Sequence, residues 1–154
     1  MNDIDLTIQF LRNIGLRVEE GEVADDAFLP GIVIAAGAIR VDRSRLLSPG
    51  DLLHEAGHLA LLDPAERANA DGVFETEGGA EMAAIAWSYA ASVHVGMPIE
   101  TLFHDTGYRG SAASLRENFA AKRYIGVPIL SWRGLLDGDV ANNSYPKLAR
   151  WLVA

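Results

Sequence analysis

The chain has 154 residues, of which 49% are hydrophobic, and its formal net charge at pH 7 is −8. This length fits one domain with a substantial core, and the negative charge argues against nucleic acid or an anionic membrane as the main partner. Cysteine is absent, which excludes a disulfide framework and a thiolate metal site. The first residues are acidic and contain no long apolar run. We therefore expect no secretory signal, no membrane span and a cytoplasmic location.

The first part of the chain predicts one helix followed by three short strands. Residues 3–14 place apolar side chains on a helical period, and residues 16–23 are compatible with a short strand. Two apolar runs, at 31–36 and 38–42, predict two strands joined around Gly37. A strand in this place either accepts an extended substrate as a further strand or belongs to an ordinary hairpin. The sequence leaves both interpretations open.

A helix that carries two histidines follows these strands. Ser48 suits the N-cap, Pro49 suits the first helical position, and leucine and alanine side chains supply an apolar surface as far as Leu62. His54 and His58 lie four residues apart, about one turn from each other on the same face, so both rings can reach one metal ion. The pattern H-E-x-x-H is typical of zinc-dependent peptidases.

Glu55 directly follows the first of these histidines, and its side chain is rotated by roughly 100° around the helix from that of His54. This rotation puts the carboxylate beside the metal rather than on it, where a general base for an attacking water belongs. Charged side chains inside a leucine-rich helix need a reason, because unpaired buried charge is costly. We predict that Glu55 is the catalytic residue of a hydrolytic site.

A catalytic zinc site needs a third protein ligand. After a polar, acidic segment at residues 63–74, which predicts a loop or a short extra helix, an alanine-rich segment up to Val95 predicts a second central helix. We expect the two downstream histidines, His94 and His104, to be satisfied helical histidines rather than ligands. Besides several aspartates, the candidates for the third ligand are Glu75, Glu77, Glu81, His94 and His104.

The spacing resembles that of the gluzincins, zinc metallopeptidases in which a glutamate on a second helix is the third ligand. In the zinc aminopeptidases of this group the pattern is H-E-x-x-H, eighteen residues, then Glu, and counting from His58 places Glu77 at that position. Residues 77–81 are also similar to the N-E-G-x-A-E stretch of these enzymes, with Thr76 in place of the asparagine. The small ImmA/IrrE-type metalloproteases share the compact layout, and their second helix begins with a Glu-x-x-Ala run that residues 77–80 match.

This resemblance implies a zincin-like α+β fold, in which a small mixed sheet packs on the active-site helix and on a second ligand-bearing helix. It also implies one zinc ion (Zn²⁺) per chain, held by His54, His58 and Glu77 with water in the fourth position. Glu81 would accept the Nδ1–H of a ligating histidine and fix its tautomer. The alternative is that Glu81 binds the metal and Glu77 supports it.

We expect a single domain over residues 1–154, with a core at about 31–95 and a helical C-terminal subdomain at about 98–154. Gluzincins often add a Tyr, His or Arg that stabilises the oxyanion of the tetrahedral intermediate. Tyr108 and Tyr124 are the candidates that we single out here, although no spacing separates them from three arginines. Those arginines are Arg109, Arg116 and Arg133. The expected segments of this part are helices at 98–103, 111–124 and 143–153 and an interrupted apolar stretch at 125–132.

The sequence therefore predicts a zinc-dependent hydrolase of peptide bonds, acting on a peptide or protein substrate. Glu55 takes a proton from a zinc-activated water and returns it to the leaving amine. The alternative is a catalytically silent zincin-fold protein that binds or regulates a partner and keeps a structural metal. The intact Glu55 favours the enzyme, whereas the short C-terminal part, about sixty residues after the second helix, favours the alternative. His and carboxylate ligands would also accept Co, Mn or Ni.

Overall fold

The protein is an α+β structure, and its computed structural model describes residues 1–27, 29–72 and 78–154, with Arg109 described by its backbone alone. The helices within these ranges are α1 (Asp3–Asn13), α2 (Pro49–Ala60), α3 (Pro64–Ala68), α4 (Gly78–Val95), α5 (Ile99–Leu102), α6 (Ala112–Ala120) and α7 (Val127–Trp132). The strands are β1 (Arg17–Glu20), β2 (Ile32–Ala35) and β3 (Ala38–Val41), and a single 3-10 turn covers Tyr108–Gly110.

The three strands form one small mixed sheet in the order β1–β3–β2. β2 and β3 are antiparallel and β1 runs parallel to β3, so the mixed sheet and the hairpin around Gly37 that the sequence predicts are both confirmed. The two turn residues, Ala36 and Gly37, both have left-handed backbone angles, as a two-residue hairpin turn requires. A Cβ atom at Gly37 would lie 2.5 Å from the carbonyl oxygen of Arg67, so a glycine is needed there.

Helices α2 and α4 pack against each other at the centre of the molecule. The hydroxyl of Ser48 accepts the Gly50 N–H at 3.1 Å, so α2 begins with the predicted cap. In the last turn of α2, a Cβ atom at Gly57 would lie 3.0 Å from the Ala84 carbonyl oxygen and 3.2 Å from Cε3 of Trp87. The missing side chain at Gly57 is what allows the two helices to approach so closely.

Two arginines hold the C-terminal end of α2, where backbone carbonyls have no partner within the helix. The Nη2 atom of Arg133 donates to the carbonyl of Leu61 at 2.9 Å. The guanidinium of Arg67 donates to four carbonyl oxygens, those of Leu59 (3.0 Å), Ala60 (3.4 Å), Leu62 (2.9 Å) and Val153 (2.6 Å). The chain terminus is thereby tied to the same helix end.

Residues 143–153 do not form the predicted terminal helix. Pro146 lies within this segment, and proline removes a hydrogen-bond donor and clashes with the preceding turn of a helix. The inward packing that the sequence predicts for this segment is nevertheless present. Leu148 is buried, and the Trp151 ring meets Phe10 edge-on with 4.9 Å between ring centroids. The Nε1–H of Trp87 donates to the Trp151 carbonyl at 2.9 Å.

The apolar stretch at 125–132 contains a short helix, α7, with Pro128 in its first turn, where proline is tolerated. Helix α7 packs against α4. Across the described ranges, none of the helices combines the length and the apolar character that crossing a bilayer requires.

Candidate metal centre

Two histidines of α2 and one glutamate of α4 converge at the contact between these helices. The Nε2 atom of His54 lies 2.9 Å from Oε1 of Glu81, and the Nε2 atom of His58 lies 3.0 Å from Oε2 of the same carboxylate. One ligand atom from each residue lies within 4.8 Å of the others, so the three side chains form a group that could hold a metal ion. Imidazole nitrogen and carboxylate oxygen are typical ligands of catalytic zinc, so the donor set fits such an ion.

The histidines donate and the carboxylate accepts in this arrangement. Burial by itself raises the pKa of Glu81, but the hydrogen bonds from His54 and His58 outweigh it and hold this pKa far below its ordinary value. Burial lowers the pKa of His54, whereas the hydrogen bond to Glu81 and the charges of neighbouring carboxylates raise it, and the net change is upward. The two histidine Nε2 atoms that would bind a metal therefore carry protons in this arrangement, and metal binding would displace those protons.

Glu81 meets the Nε2 atoms of the histidines, whereas the resemblance to gluzincins implies that it accepts from an Nδ1 atom. It therefore lies where the alternative assignment, with Glu81 as a metal ligand, requires it. Within the described residues, the buried Nδ1 atom of His54 has no hydrogen-bond partner. Glu75 and Glu77 lie outside the described residues, so the assignment of Glu77 as the third ligand stays a prediction.

Glu55 lies on α2 beside these ligands and is 8% exposed. Burial raises its pKa, and the neighbouring His54 and His58 offset this only in part. A carboxyl group whose pKa is shifted towards neutrality is suited to both accepting and returning a proton.

Tyr108 is the oxyanion candidate that the fold brings to the histidines. Its ring meets the His54 ring edge-on, with 5.5 Å between the centroids. Its hydroxyl is buried and has no hydrogen-bond partner among the described residues. Burial, followed by the charges of Asp51, Glu81 and Glu55, raises the pKa of Tyr108, so the hydroxyl keeps its proton.

The other candidates make their contacts elsewhere. The Tyr124 ring packs in an aromatic cluster, 4.7 Å from Tyr145 and 5.5 Å from Phe119. Arg116 donates to the Phe103 carbonyl at 2.6 Å, while Arg133 serves the end of α2 as described above. The side chain of Arg109 lies outside the described part of the chain.

His94 lies in helix α4, as the sequence predicts, whereas His104 lies just beyond the end of α5 and is not helical. The His94 ring lies 5.1 Å from that of Phe10 and 5.4 Å from that of Trp151, on the side of α4 that meets α1.

A second histidine contact lies next to the candidate metal centre and has no counterpart among the predictions from sequence. The Nε2 atom of His104 lies 2.6 Å from Oδ1 of Asp51, one turn before His54 on α2. The sequence suggests only a helix-dipole role for Asp51. The two partners are 53 positions apart in the chain, so no local spacing could have revealed their contact.

No known protein family, curated protein or solved structure matches this chain. The chemistry of the site must therefore be argued from its own residues.

Proposed function

We propose that this protein is a metal-dependent hydrolase of peptide bonds, with zinc as its preferred metal. The observation that carries the proposal is the meeting of two Nε2 atoms, from His54 and His58, at one carboxylate of Glu81, with distances of 2.9 and 3.0 Å. An acid directly after the first histidine, at Glu55, supplies the general base that a purely structural metal site does not need.

Each residue has a distinct task in this proposal. His54, His58 and Glu81 hold the metal, and a zinc ion held there acts as a Lewis acid and acidifies water. Glu55 takes a proton from the water that attacks the amide carbon and returns that proton to the leaving amine nitrogen. Its burial and raised pKa support this double role.

Tyr108 supplies the hydrogen bond to the carbonyl oxygen as negative charge develops there. The support is its buried hydroxyl, which keeps its proton and has no partner among the described residues, beside the His54 ring. A donor already in place costs no reorganisation at the moment of reaction.

The second candidate function is that of a catalytically silent zincin-like protein, which keeps the metal and binds or regulates a partner. One observation favours it: His58 is 6% exposed and Glu55 is 8% exposed, so a peptide has little access to them in this arrangement. Such a protein would bind metal with the same residues and show no hydrolysis of general peptide substrates.

Elemental analysis of the untagged protein tests the metal site. We expect about one zinc per chain in the wild type, because three protein ligands complete a catalytic zinc site. Glu81→Ala should lose the metal, whereas Glu77→Ala should keep it. Glu66→Ala, an exposed acid on α3, is the control and should bind like the wild type. Loss of zinc in Glu77→Ala together with retention in Glu81→Ala would reverse the ligand assignment.

A peptide-library assay tests the reaction. The zinc-loaded wild type should cleave some of the peptides, and Glu55→Gln should keep its zinc while losing hydrolysis by roughly 10²–10⁴-fold, the usual effect of a general base. Undiminished hydrolysis in Glu55→Gln would contradict the mechanism. A wild type that binds zinc and cleaves none of the peptides would favour the second candidate function.

A further inference from the structure

The segment that carries Tyr108 to the metal centre is the loop between α5 and α6, residues 103–111, which we call the tyrosine loop. Within it, Tyr108 has a φ of 58°, in the left-handed region that a bulky side chain adopts only at a cost. The loop also leaves the Tyr108 hydroxyl buried and without a partner among the described residues. Contacts elsewhere in the loop must compensate for both features.

His104 makes the contacts that tie the loop to α2. A carboxylate only accepts, so the Nε2–H of His104 donates to Oδ1 of Asp51, at 2.6 Å. In the neutral tautomer that carries this proton, Nδ1 accepts from the Thr106 hydroxyl at 2.7 Å. Both ring nitrogens are therefore engaged, one with the helix and one within the loop, so His104 joins the two and is not itself a donor to a substrate.

The backbone after His104 turns tightly around this ring. The Gly107 N–H donates to the His104 carbonyl at 3.1 Å. A Cβ atom at Gly107 would lie 3.2 Å from Nε2 and 3.3 Å from Cε1 of the imidazole, which is closer than most side chains tolerate. The position of the imidazole thus constrains the path of the chain directly before Tyr108.

Asp51 lies on the same helix as the candidate ligands and precedes His54 by about one turn. The N-terminal end of α2 is also fastened to the segment before the loop, because the Ser48 hydroxyl donates to the Thr101 carbonyl at 2.6 Å. The contact between His104 and Asp51 extends this attachment from the end of α2 to the turn next to the metal centre.

We propose that His104 is a positioning residue, whose hydrogen bond to Asp51 holds the tyrosine loop so that the Tyr108 ring stays against His54 and its hydroxyl remains available to an acceptor oxygen of a ligand. The use of this hydroxyl in catalysis rests on the proposed function. The positioning itself is a property of the folded chain and can be measured without a substrate.

Nitration by tetranitromethane, read out by peptide mass mapping, tests the positioning. Tyr108 should react slowly in the wild type and roughly tenfold faster in His104→Ala, since a hydrogen bond to a charged group is lost. His104→Gln keeps a side-chain N–H that can reach Asp51 and should restore the slow reaction. His94→Ala, which removes a histidine on the opposite side of α4, is the matched control and should react like the wild type.

Tyr145 is the internal control for folding, because its buried hydroxyl donates to the Ala86 carbonyl at 2.7 Å. It should stay protected in every variant. An unchanged Tyr108 rate in His104→Ala would overturn the proposal. Should Tyr145 also react in His104→Ala, Asp51→Ala decides, because it removes the acceptor of the His104 Nε2–H and leaves the imidazole in place: faster nitration of Tyr108 alone supports the positioning role, and an unchanged rate overturns it.

Hydrolysis supplies a second readout when the wild type is active. His104→Ala should keep about one zinc per chain and lower kcat towards the value of Tyr108→Phe, and the double variant should lose little more than Tyr108→Phe alone, because the two residues act as a unit. If the losses in kcat of the two single variants instead multiplied in the double variant, His104 would not act through Tyr108. A wild type without hydrolysis would contradict the proposed function, and the nitration rates would still decide the role of His104.

Discussion

The two ends of α2 are held by different chemistry. At the N-terminal end, a Cβ atom at Gly50 would lie 2.6 Å from both the Leu102 Cα atom and the Thr101 carbonyl oxygen, so backbone packs directly on backbone. At the C-terminal end, the long side chains of Arg67 and Arg133 make the contacts, and their guanidinium groups reach part-buried backbone carbonyl oxygens.

Because of this difference, we expect substitutions at the two ends of α2 to differ in whether they change the geometry of the site as well as stability. The N-terminal contacts lead to the tyrosine loop, so we expect changes there to alter both stability and the position of Tyr108. The C-terminal contacts lead to α3, α7 and the chain terminus, so changes there should cost stability and leave the tyrosine loop in place. Four substitutions test this division, taken here from the largest expected effect to the smallest.

Arg67→Ala should have the largest effect, a loss of about 3 kcal/mol in the free energy of unfolding. It removes a charged donor from four carbonyl oxygens, of which those of Leu59 and Ala60 keep a backbone N–H donor while those of Leu62 and Val153 lose the guanidinium. Urea denaturation measures the loss, and nitration of Tyr108 in the folded protein should not change. Arg150→Ala removes an exposed arginine and should stay within about 0.5 kcal/mol of the wild type. A similarly small loss for Arg67→Ala would show that water replaces the guanidinium.

Gly50→Ala should cost about 2 kcal/mol, because the added methyl group meets backbone atoms that cannot rotate away. It should also speed nitration of Tyr108, since it separates α2 from α5 and the tyrosine loop. Gly78→Ala places a methyl group at the start of α4 with no atom of the described residues within 4 Å and serves as the control. A Gly50 variant that loses stability while Tyr108 stays protected would contradict the link between this helix end and the loop.

Gly57→Ala acts between the two ends and should weaken zinc binding by roughly tenfold, measured by competition with a chromogenic chelator. Its methyl group would push α2 away from Ala84 and Trp87, and hence His54 and His58 away from Glu81. Among the described residues, the added methyl group of Gly79→Ala meets Cδ1 of Ile129 at an ordinary 3.6 Å, so this variant should bind zinc like the wild type. Equal affinities for all three proteins would mean that the helices adjust without moving the ligands.

Ser48→Ala should have the smallest effect, about 1 kcal/mol, the usual value for the loss of an N-cap. The hydroxyl both accepts from Gly50 and donates to Thr101, so its removal also loosens the attachment to α5. Ser48→Thr keeps the hydroxyl and should recover most of the stability in thermal denaturation. A Thr variant no more stable than the Ala variant would show that the cap contributes less than packing at this buried position.

The elements that local patterns predict are the ones whose stability depends on nearby residues. Three predicted elements follow from residues that are close together in the chain, and the structure contains all three. They are the helix at residues 3–14, the hairpin around Gly37 and the cap at Ser48. The predicted helix at 143–153 is wrong, because Pro146 interrupts the segment whose apolar spacing predicts it. Leu148 and Trp151 pack inward from irregular backbone instead.

The sequence by itself determined the relation between His54, Glu55 and His58, because the pitch of a helix sets it within a single turn. Only the tertiary structure decided what faces them. Glu81 lies 23 positions from His58, and His104 lies 53 positions from Asp51, so both contacts depend on how closely α2 approaches α4 and on where the tyrosine loop runs. The approach of α2 to α4 is set by packing at Gly57, and its approach to α5, directly before the tyrosine loop, is set by packing at Gly50. At both positions the absence of a side chain lets the backbones come close together.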